Sequence, residues 1–280
     1  MTGSLGFDPD LESTAQVDFG VTRDGVTQLR RRWMPPEPRG AALVVHGLGE
    51  HSGRYEHVGR QLRDAGIATV SYDHRGFGES GGRRADVDRF SRYVDDLEDQ
   101  LAELRTLALP TVIIGHSLGG LISACHAVSG RPQPDRLVLS APALALDASA
   151  VTEAAAKVAA RITPRVEIST PFSSEDLATD PRVGRHYDAD PLVYTKLTVR
   201  LAAQMAAATE FVRGRHDRLT TPTLVLHGSD DRLVKASASE SLGRLPGVER
   251  RLLPGLGHEV FNEPSGPDLI DDVIAWAFPD

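Results

Sequence analysis

The chain carries one cysteine, Cys125, in 280 residues. A single thiol excludes an intramolecular disulfide framework and a zinc cluster built on several thiolates, and it fits a reducing compartment. Cys125 lies in the apolar run "LISACHAV", which reads as a buried helix position. An excess of positive charge is also absent. Lys and Arg number 31 against 39 Asp and Glu, a formal net charge of -8, so nothing global attracts a phosphate backbone and nucleic acid is not an expected partner. No apolar run approaches a membrane span, and "MTGSLGFDPDLE" offers neither the basic start nor the apolar core of a secretory signal, so a soluble cytoplasmic protein is expected. The absence of repeats and low-complexity linkers argues for one domain with an excursion rather than two tethered domains.

What is present is an alternation of short apolar runs with helical patterns. Strands are expected at "VTQLRRRW", "AALVV", "IATVSY", "TVIIG", "RLVLSAP", "TLVLHG" and "VERRLLPG", with a hairpin turn at Asp24-Gly25. Between them fall helices over 54–65, along the stripe Phe90, Val94, Leu97, Leu101 and Leu104, over "LGGLISACHAV", and at the end over "DLIDDVIAWAF". Strands alternating with helices call for a mostly parallel sheet covered on both faces, an α/β fold. The rhythm breaks between about Asp147 and His216, where helical patterns occur without a convincing strand. "DASAVTEAAAKVAARI" and "LTVRLAAQMAAATEF" each show one apolar face there, through Val151, Ala155, Val158 and Ile162 and through Leu197, Leu201, Met205 and Ala208. Two helices packed on the domain and a movable lid over a pocket both satisfy this pattern. The expected division is a core of 1–146 and 217–280 with an inserted helical lid of 147–216.

"VIIGHSLGG" carries the sharpest chemical signal: Gly115, His116, Ser117, Leu118 and Gly119 match G-x-S-x-G between an apolar strand and a helix. A serine on such a turn is held in a strained conformation with its hydroxyl presented, and the flanking glycines let backbone approach closely. A hydroxyl needs a base to take its proton and a carboxylate to orient that base, in the chain order Ser, acid, His. "SDDRLV" follows the strand "TLVLHG", and "LGHEVFNEP" follows "VERRLLPG", so Asp230 or Asp231 and then His258 stand at carboxyl ends of successive strands, where open α/β sheets bind ligands. His227, before a glycine at a strand end, reads as structural.

"HGLGEHSGRYEHVG" gathers His46, Glu50, His51 and His57, but they do not form H-E-x-x-H, and a Gly-rich loop offers no helical face for two histidines. No metal is expected. The loop follows the strand "AALVV", which suits an oxyanion hole: the Leu48 amide is one donor and the amide of Leu118, after the serine, is the other. His46 and Glu50 then brace the loop, and Asp73, which precedes the serine, is expected to pack beneath the site.

These motifs resemble the α/β-hydrolase superfamily, and within it the monoacylglycerol lipase and lysophospholipase branch. The resemblance runs from about Val17 to Phe278 and rests on "HGLGEHSGRYEHV", "DHRGFGESGG", "GHSLGG", "SAPAL", "YDADPLVY", "HGSDDRLV" and "PGLGHEVFNEP". It implies the acid immediately before Arg-Leu, hence Asp231, a lid after "SAPAL", and hydrolysis of a glycerol mono-ester by Ser117, His258 and Asp231 without a cofactor. The substrate would be a small acyl ester, bound by Leu48, Leu146, Val151, Leu201 and Met205, with transient contact between the lid and a membrane surface. The first lid helix departs from the branch in being rich in alanine, and the acidic net charge would not help at an anionic bilayer. A short-chain esterase, a thioesterase or an aminopeptidase of the same architecture is the alternative, and a binding protein without turnover the alternative of another class.

Overall fold

The computed structural model describes residues 11–145, 160–170 and 173–279. Eight strands form one sheet in the order β1 (Gln16–Val21), β2 (Thr27–Trp33), β4 (Ile67–Tyr72), β3 (Gly40–Val45), β5 (Thr111–His116), β6 (Arg136–Ser140), β9 (Thr223–Gly228), β10 (Val248–Leu253). The pairs β1–β2 and β2–β4 are antiparallel and the remaining pairs are parallel. Parallel strands covered on both faces have no polar side to show water, and β3, β4, β5 and β9 are buried along their whole length.

The two-residue period of each strand divides its side chains between two cores. Ala41, Leu43 and Val45 of β3, with Ile113 of β5, face α2 (Ser91–Arg105) and α3 (Leu118–Ala127). Ala42 and Val44, with Val112 and Ile114, face α1 (Glu56–Asp64) and the closing helix. The stripe expected on α2 is buried: Val94, Leu97, Leu101 and Leu104 all lie in the first core, and Phe90, just before the helix, joins them. Burying each such side chain contributes about 1.5–3 kcal/mol.

β1 is a strand that the sequence reading passed over. It forms a hairpin with β2 through the Asp24-Gly25 turn, and as an edge strand it leaves Val17, Phe19 and Val21 exposed. The expectation of a strand-free excursion between β6 and β9 is also corrected. β7 (Glu167–Ser169) and β8 (Lys196–Thr198) form an antiparallel ribbon there. Strands of three residues are too short to show a period, and their pairing holds them. A helix, α4 (Pro181–Ala189), separates them; Asp180 caps it through the Arg182 N–H, and Pro181 occupies the first turn. α5 (Val199–Arg213) follows β8, capped by Thr198, and buries Leu201, Met205, Ala208 and Val212 against the first core. Most of the alanine-rich stretch over 147–162 lies outside the described residues, together with Leu146 and Val151. The closing helix α6 (Gly266–Ala277) packs Leu269, Ile270, Val273 and Ile274 in the second core.

The start of α3 crosses the end of β3 so closely that a Cβ on Gly119 would lie 2.0 Å from the Val45 carbonyl oxygen and 2.6 Å from that of His46. Backbone cannot yield as a flexible side chain does. Gly119→Ala is expected to lower stability by about 1–3 kcal/mol or more, read as a fall in the urea midpoint. An unchanged midpoint would contradict this contact.

Candidate active site

Ser117 joins β5 to α3 at φ 50° and ψ -112°. A non-glycine residue in that region is strained by about 1–3 kcal/mol and persists because its surroundings fix it. They do so here with three backbone bonds: the Ser117 N–H donates to the Ser140 carbonyl, and the Ser117 carbonyl accepts from the N–H groups of Leu121 and Ala143, each at 3.0 Å. Gly115 is required on the strand side, since a Cβ there would lie 2.5 Å from the Ser123 hydroxyl and 2.6 Å from the Gly119 carbonyl oxygen. Ser117 is half-buried, while its neighbours from Thr111 to Gly120 are all buried. Leu118 opens α3, so its amide is among those without an acceptor inside the helix.

Asp231 and His258 meet from the ends of β9 and β10. The His258 Nδ1–H donates to Asp231 Oδ2 at 2.7 Å, which leaves the lone pair of a neutral ring on Nε2. The other carboxylate oxygen accepts the N–H groups of Leu233 and Val234, both at 2.9 Å, and His227 Nε2 lies 3.3 Å from Oδ2. Burial would raise the Asp231 carboxyl, but the nearby His227, the hydrogen bond and charge of His258 and the Val234 amide outweigh it and hold the group well below the ordinary carboxylate range. Asp230 is exposed and turns away: its carboxylate accepts the Ser229 hydroxyl at 2.7 Å. His227 thus packs against Asp231, and its place four residues before Asp231 was the available signal. His116 lies against the other side of His258, with ring centroids 4.7 Å apart.

The loop after β3 is braced from below. His46 accepts the His74 N–H on Nε2 at 2.9 Å and donates from Nδ1 to the Gly47 carbonyl at 2.8 Å. The Glu50 carboxylate accepts the Gly47 N–H, the Tyr55 hydroxyl at 2.7 Å and the Arg54 guanidinium at 2.6 Å. The Gly47 amide is thus committed to Glu50, and the Leu48 amide follows it in the loop. Arg54, almost wholly buried, also forks onto Glu259 at 2.6 and 2.9 Å. Asp73 accepts the Ser52 amide and hydroxyl and the Glu79 amide, a packing role beneath the loop. Among the described residues no three His, Cys, Asp or Glu side chains are grouped to hold a metal ion. Cys125 is buried, and burial pushes its thiol up to about 12.

Ser117 and His258 line one cavity of about 120 Å3. Its apolar wall is Leu48, Ala143, Leu177, Met205, Leu233 and Val234, and its polar part includes Glu50, Tyr187 and Glu259. Two larger depressions, of about 450 and 500 Å3, lie away from Ser117 and His258. Of the expected substrate-binding residues, Leu48 and Met205 line the cavity. Leu201 does not: it is fully buried in the core beneath α5, because the inward face of that helix packs mainly on the body of the domain. Leu146 and Val151 lie outside the described residues. Leu177, Leu233 and Val234 were missed, as loop residues without a periodic signal.

Four histidines in and around the site are buried. Burial depresses His46 to about 3 and His57 and His116 to about 4, and it holds His74 well below 6.5. The unfolded chain takes up these protons below about pH 6.5 while the folded chain refuses them, so stability falls as the pH drops from 6.5 toward 4. Urea unfolding at pH 7.5, 6 and 5 is expected to show stability falling at each step, with each of the four histidines contributing to the loss. Stability that holds or rises on acidification would contradict the buried neutral state.

The chain is similar to several known hydrolases. A family model described as "Serine aminopeptidase, S33" matches residues 36–265. A monoacylglycerol lipase of Mycolicibacterium smegmatis is 36% identical over 253 residues, covering 87% of this chain and 90% of that protein. The human monoglyceride lipase is 32% identical over 232 residues, with 80% and 76% covered. The crystal structure of a monoacylglycerol lipase from Paleococcus ferrophilus superimposes with a TM-score of 0.81 at 29% identity, covering 89% of this chain and 97% of that one. The eight-stranded sheet, the strained serine turn and these matches lead to one assignment: the chain belongs to the serine aminopeptidase S33 family of α/β hydrolases, in its monoacylglycerol lipase-like branch.

Proposed function

We propose that the protein is a serine carboxylic ester hydrolase that cleaves monoacylglycerols to glycerol and fatty acid through an acyl-enzyme on Ser117. The observation that carries this reading is the Asp231–His258 hydrogen bond in the wall of the cavity that holds the strained Ser117. In this mechanism Ser117 Oγ attacks the ester carbonyl carbon while His258 Nε2 takes its proton, and Asp231, ionised throughout, stabilises the imidazolium. The amides of Leu48 and Leu118 receive the oxyanion. His258 then gives the proton to the departing glycerol oxygen, leaving the acyl group on Ser117. Water repeats the sequence from the same side, releasing the fatty acid and restoring the serine.

The relatives named as monoacylglycerol lipases support the substrate class, and so does the cavity's division. Its apolar wall suits the start of an acyl chain, and Glu50, Tyr187 and Glu259 suit the hydroxyls of a polyol. The excursion over 147–216 is the cap of this site in our reading, set on a core of 1–146 and 217–280. Exposed Ile162, Val166 and Ile168, beside exposed Arg161 and Arg165, support transient contact of this cap with a membrane surface. Among the described residues no helix is long and apolar enough to cross a membrane. The single buried thiol is in keeping with a cytoplasmic location.

A second reading, a short-chain esterase, is favoured by one observation. The cavity of about 120 Å3 is well below the roughly 300–1,000 Å3 of ordinary small-molecule sites. Hydrolysis of a long-chain monoacylglycerol, measured beside a short p-nitrophenyl ester, separates the two. We expect turnover of both, with kcat reduced by roughly four orders of magnitude or more in a folded Ser117→Ala variant. Turnover of the short ester alone would move the assignment to the second reading, and near-normal turnover by Ser117→Ala would remove serine catalysis altogether.

A further inference from the structure

The loop that carries His258 is fastened to more than its own strand and helix. Glu263 is fully buried, and its carboxylate accepts the N–H of Gly257, the residue before His258, at 2.7 Å. The same carboxylate accepts the Thr179 N–H at 3.0 and 3.1 Å and the Thr179 hydroxyl. Two residues earlier in the excursion, the Leu177 carbonyl accepts the Glu259 N–H at 2.7 Å. His258 therefore sits between two residues, Gly257 and Glu259, that are both tied to Leu177–Thr179. There is little slack: a Cβ on Gly257 would lie 3.2 Å from Glu263 Oε1, the Leu177 carbonyl oxygen and the Ala178 Cα.

The far end of the same stretch holds the loop of Leu48. The Tyr194 N–H donates to the Gly49 carbonyl at 2.8 Å, and His51, whose Nδ1 accepts the Gly53 N–H, donates from Nε2 to Asp190 at 2.7 Å. Between the two ends, Arg54 lies over the Tyr187 ring, 5.0 Å from its centre. The segment from Leu177 to Tyr194 thus spans the two loops whose relative position sets the distance from base to oxyanion.

We infer that Glu263 is a positioning residue for His258, acting through Gly257 and locked by Thr179, so that the segment Leu177–Tyr194 holds the base loop and the oxyanion loop in one frame. This rests on the assignment of His258 as the base of Ser117. The physical reason is the cost of misplacement. A buried carboxylate filled by charge-assisted hydrogen bonds has one low-energy arrangement, and a displacement of about 1 Å in a reacting group can lower a rate by about 100-fold.

The test uses the full-length protein and two readouts: steady-state kinetics on a short p-nitrophenyl ester, and the low-field proton resonance of the His258 Nδ1–H. Thr179→Val removes one hydroxyl from an exposed residue, Thr179→Ser restores it, and Glu263→Gln replaces an acceptor oxygen by an amide group that faces the donors. We expect about a tenfold fall in kcat for Thr179→Val, a larger fall for Glu263→Gln, KM within about twofold, recovery in Thr179→Ser, and a shifted or broadened resonance in the two impaired variants. If Glu263→Gln does not fold, Thr179→Val decides. A folded Thr179→Val with unchanged kcat and resonance would overturn the inference, as would a change confined to KM or a loss that serine does not repair. The resonance reads the His258 position without turnover, so failure of this inference is distinct from failure of the catalytic reading, which Ser117→Ala exposes.

Discussion

A carboxylate that stays charged inside the protein governs the arrangement around it. Asp231 receives two backbone amides on one oxygen and His258 on the other, with His227 close by, and these donors repay the loss of water. Because Asp231 accepts and cannot donate, the proton of a neutral His258 is fixed on Nδ1 and the lone pair on Nε2. A weaker acceptor at this position would leave the tautomer undetermined. The charge is local in its origin but depends on the sheet, since the Leu233 and Val234 amides point at Asp231 only where the chain turns sharply after β9.

The parallel sheet brings the remaining groups to that place. β3, β5, β9 and β10 run in one direction, so the loop of Leu48, the Ser117 turn, the Asp231 turn and the His258 loop all emerge at the same edge. Each is then tightened locally by a different device: a buried Glu50–Arg54–Glu259 chain under the first, glycines at van der Waals limits around the second, backbone amides at the third, and Glu263 at the fourth. Replacing the buried ion chain with apolar residues need not cost stability. Its value lies in direction, because Glu50 fixes Gly47 and Glu259 adjoins His258.

Much of this was legible in the sequence, and the limits have physical causes. The strands over 67–72 and 223–228 have the expected bounds, because each is a short, mainly apolar and β-branched stretch ended by turn residues. The helix expected over 54–65 begins instead as a single tight turn, Ser52–Tyr55, before α1, a local choice that no period records. Three-residue β7 and β8 exist through pairing and were invisible. Ser117 and His258 stood out because few residue types can serve at their positions, whereas Asp230 and Asp231 are adjacent and only the turn geometry separates them. The apolar face of α5 indicated inward residues but could not divide them between core and cavity: Met205 lines the site and Leu201 does not. Glu263 stood inside the motif "PGLGHEVFNEP" but drew no role, as a glutamate before proline reads as a solvated loop residue.

The central claim is that the Asp231–His258 pair makes Ser117 a nucleophile. The most direct test is mass spectrometry of the protein quenched in acid during turnover of an ester substrate, wild type beside Asp231→Asn. The account predicts an added acyl mass on the peptide containing Ser117 in the wild type and its loss, or a formation rate lower by about 10^4, in Asp231→Asn. An acyl group on another residue, or equally fast labelling of Ser117 in the variant, would contradict it.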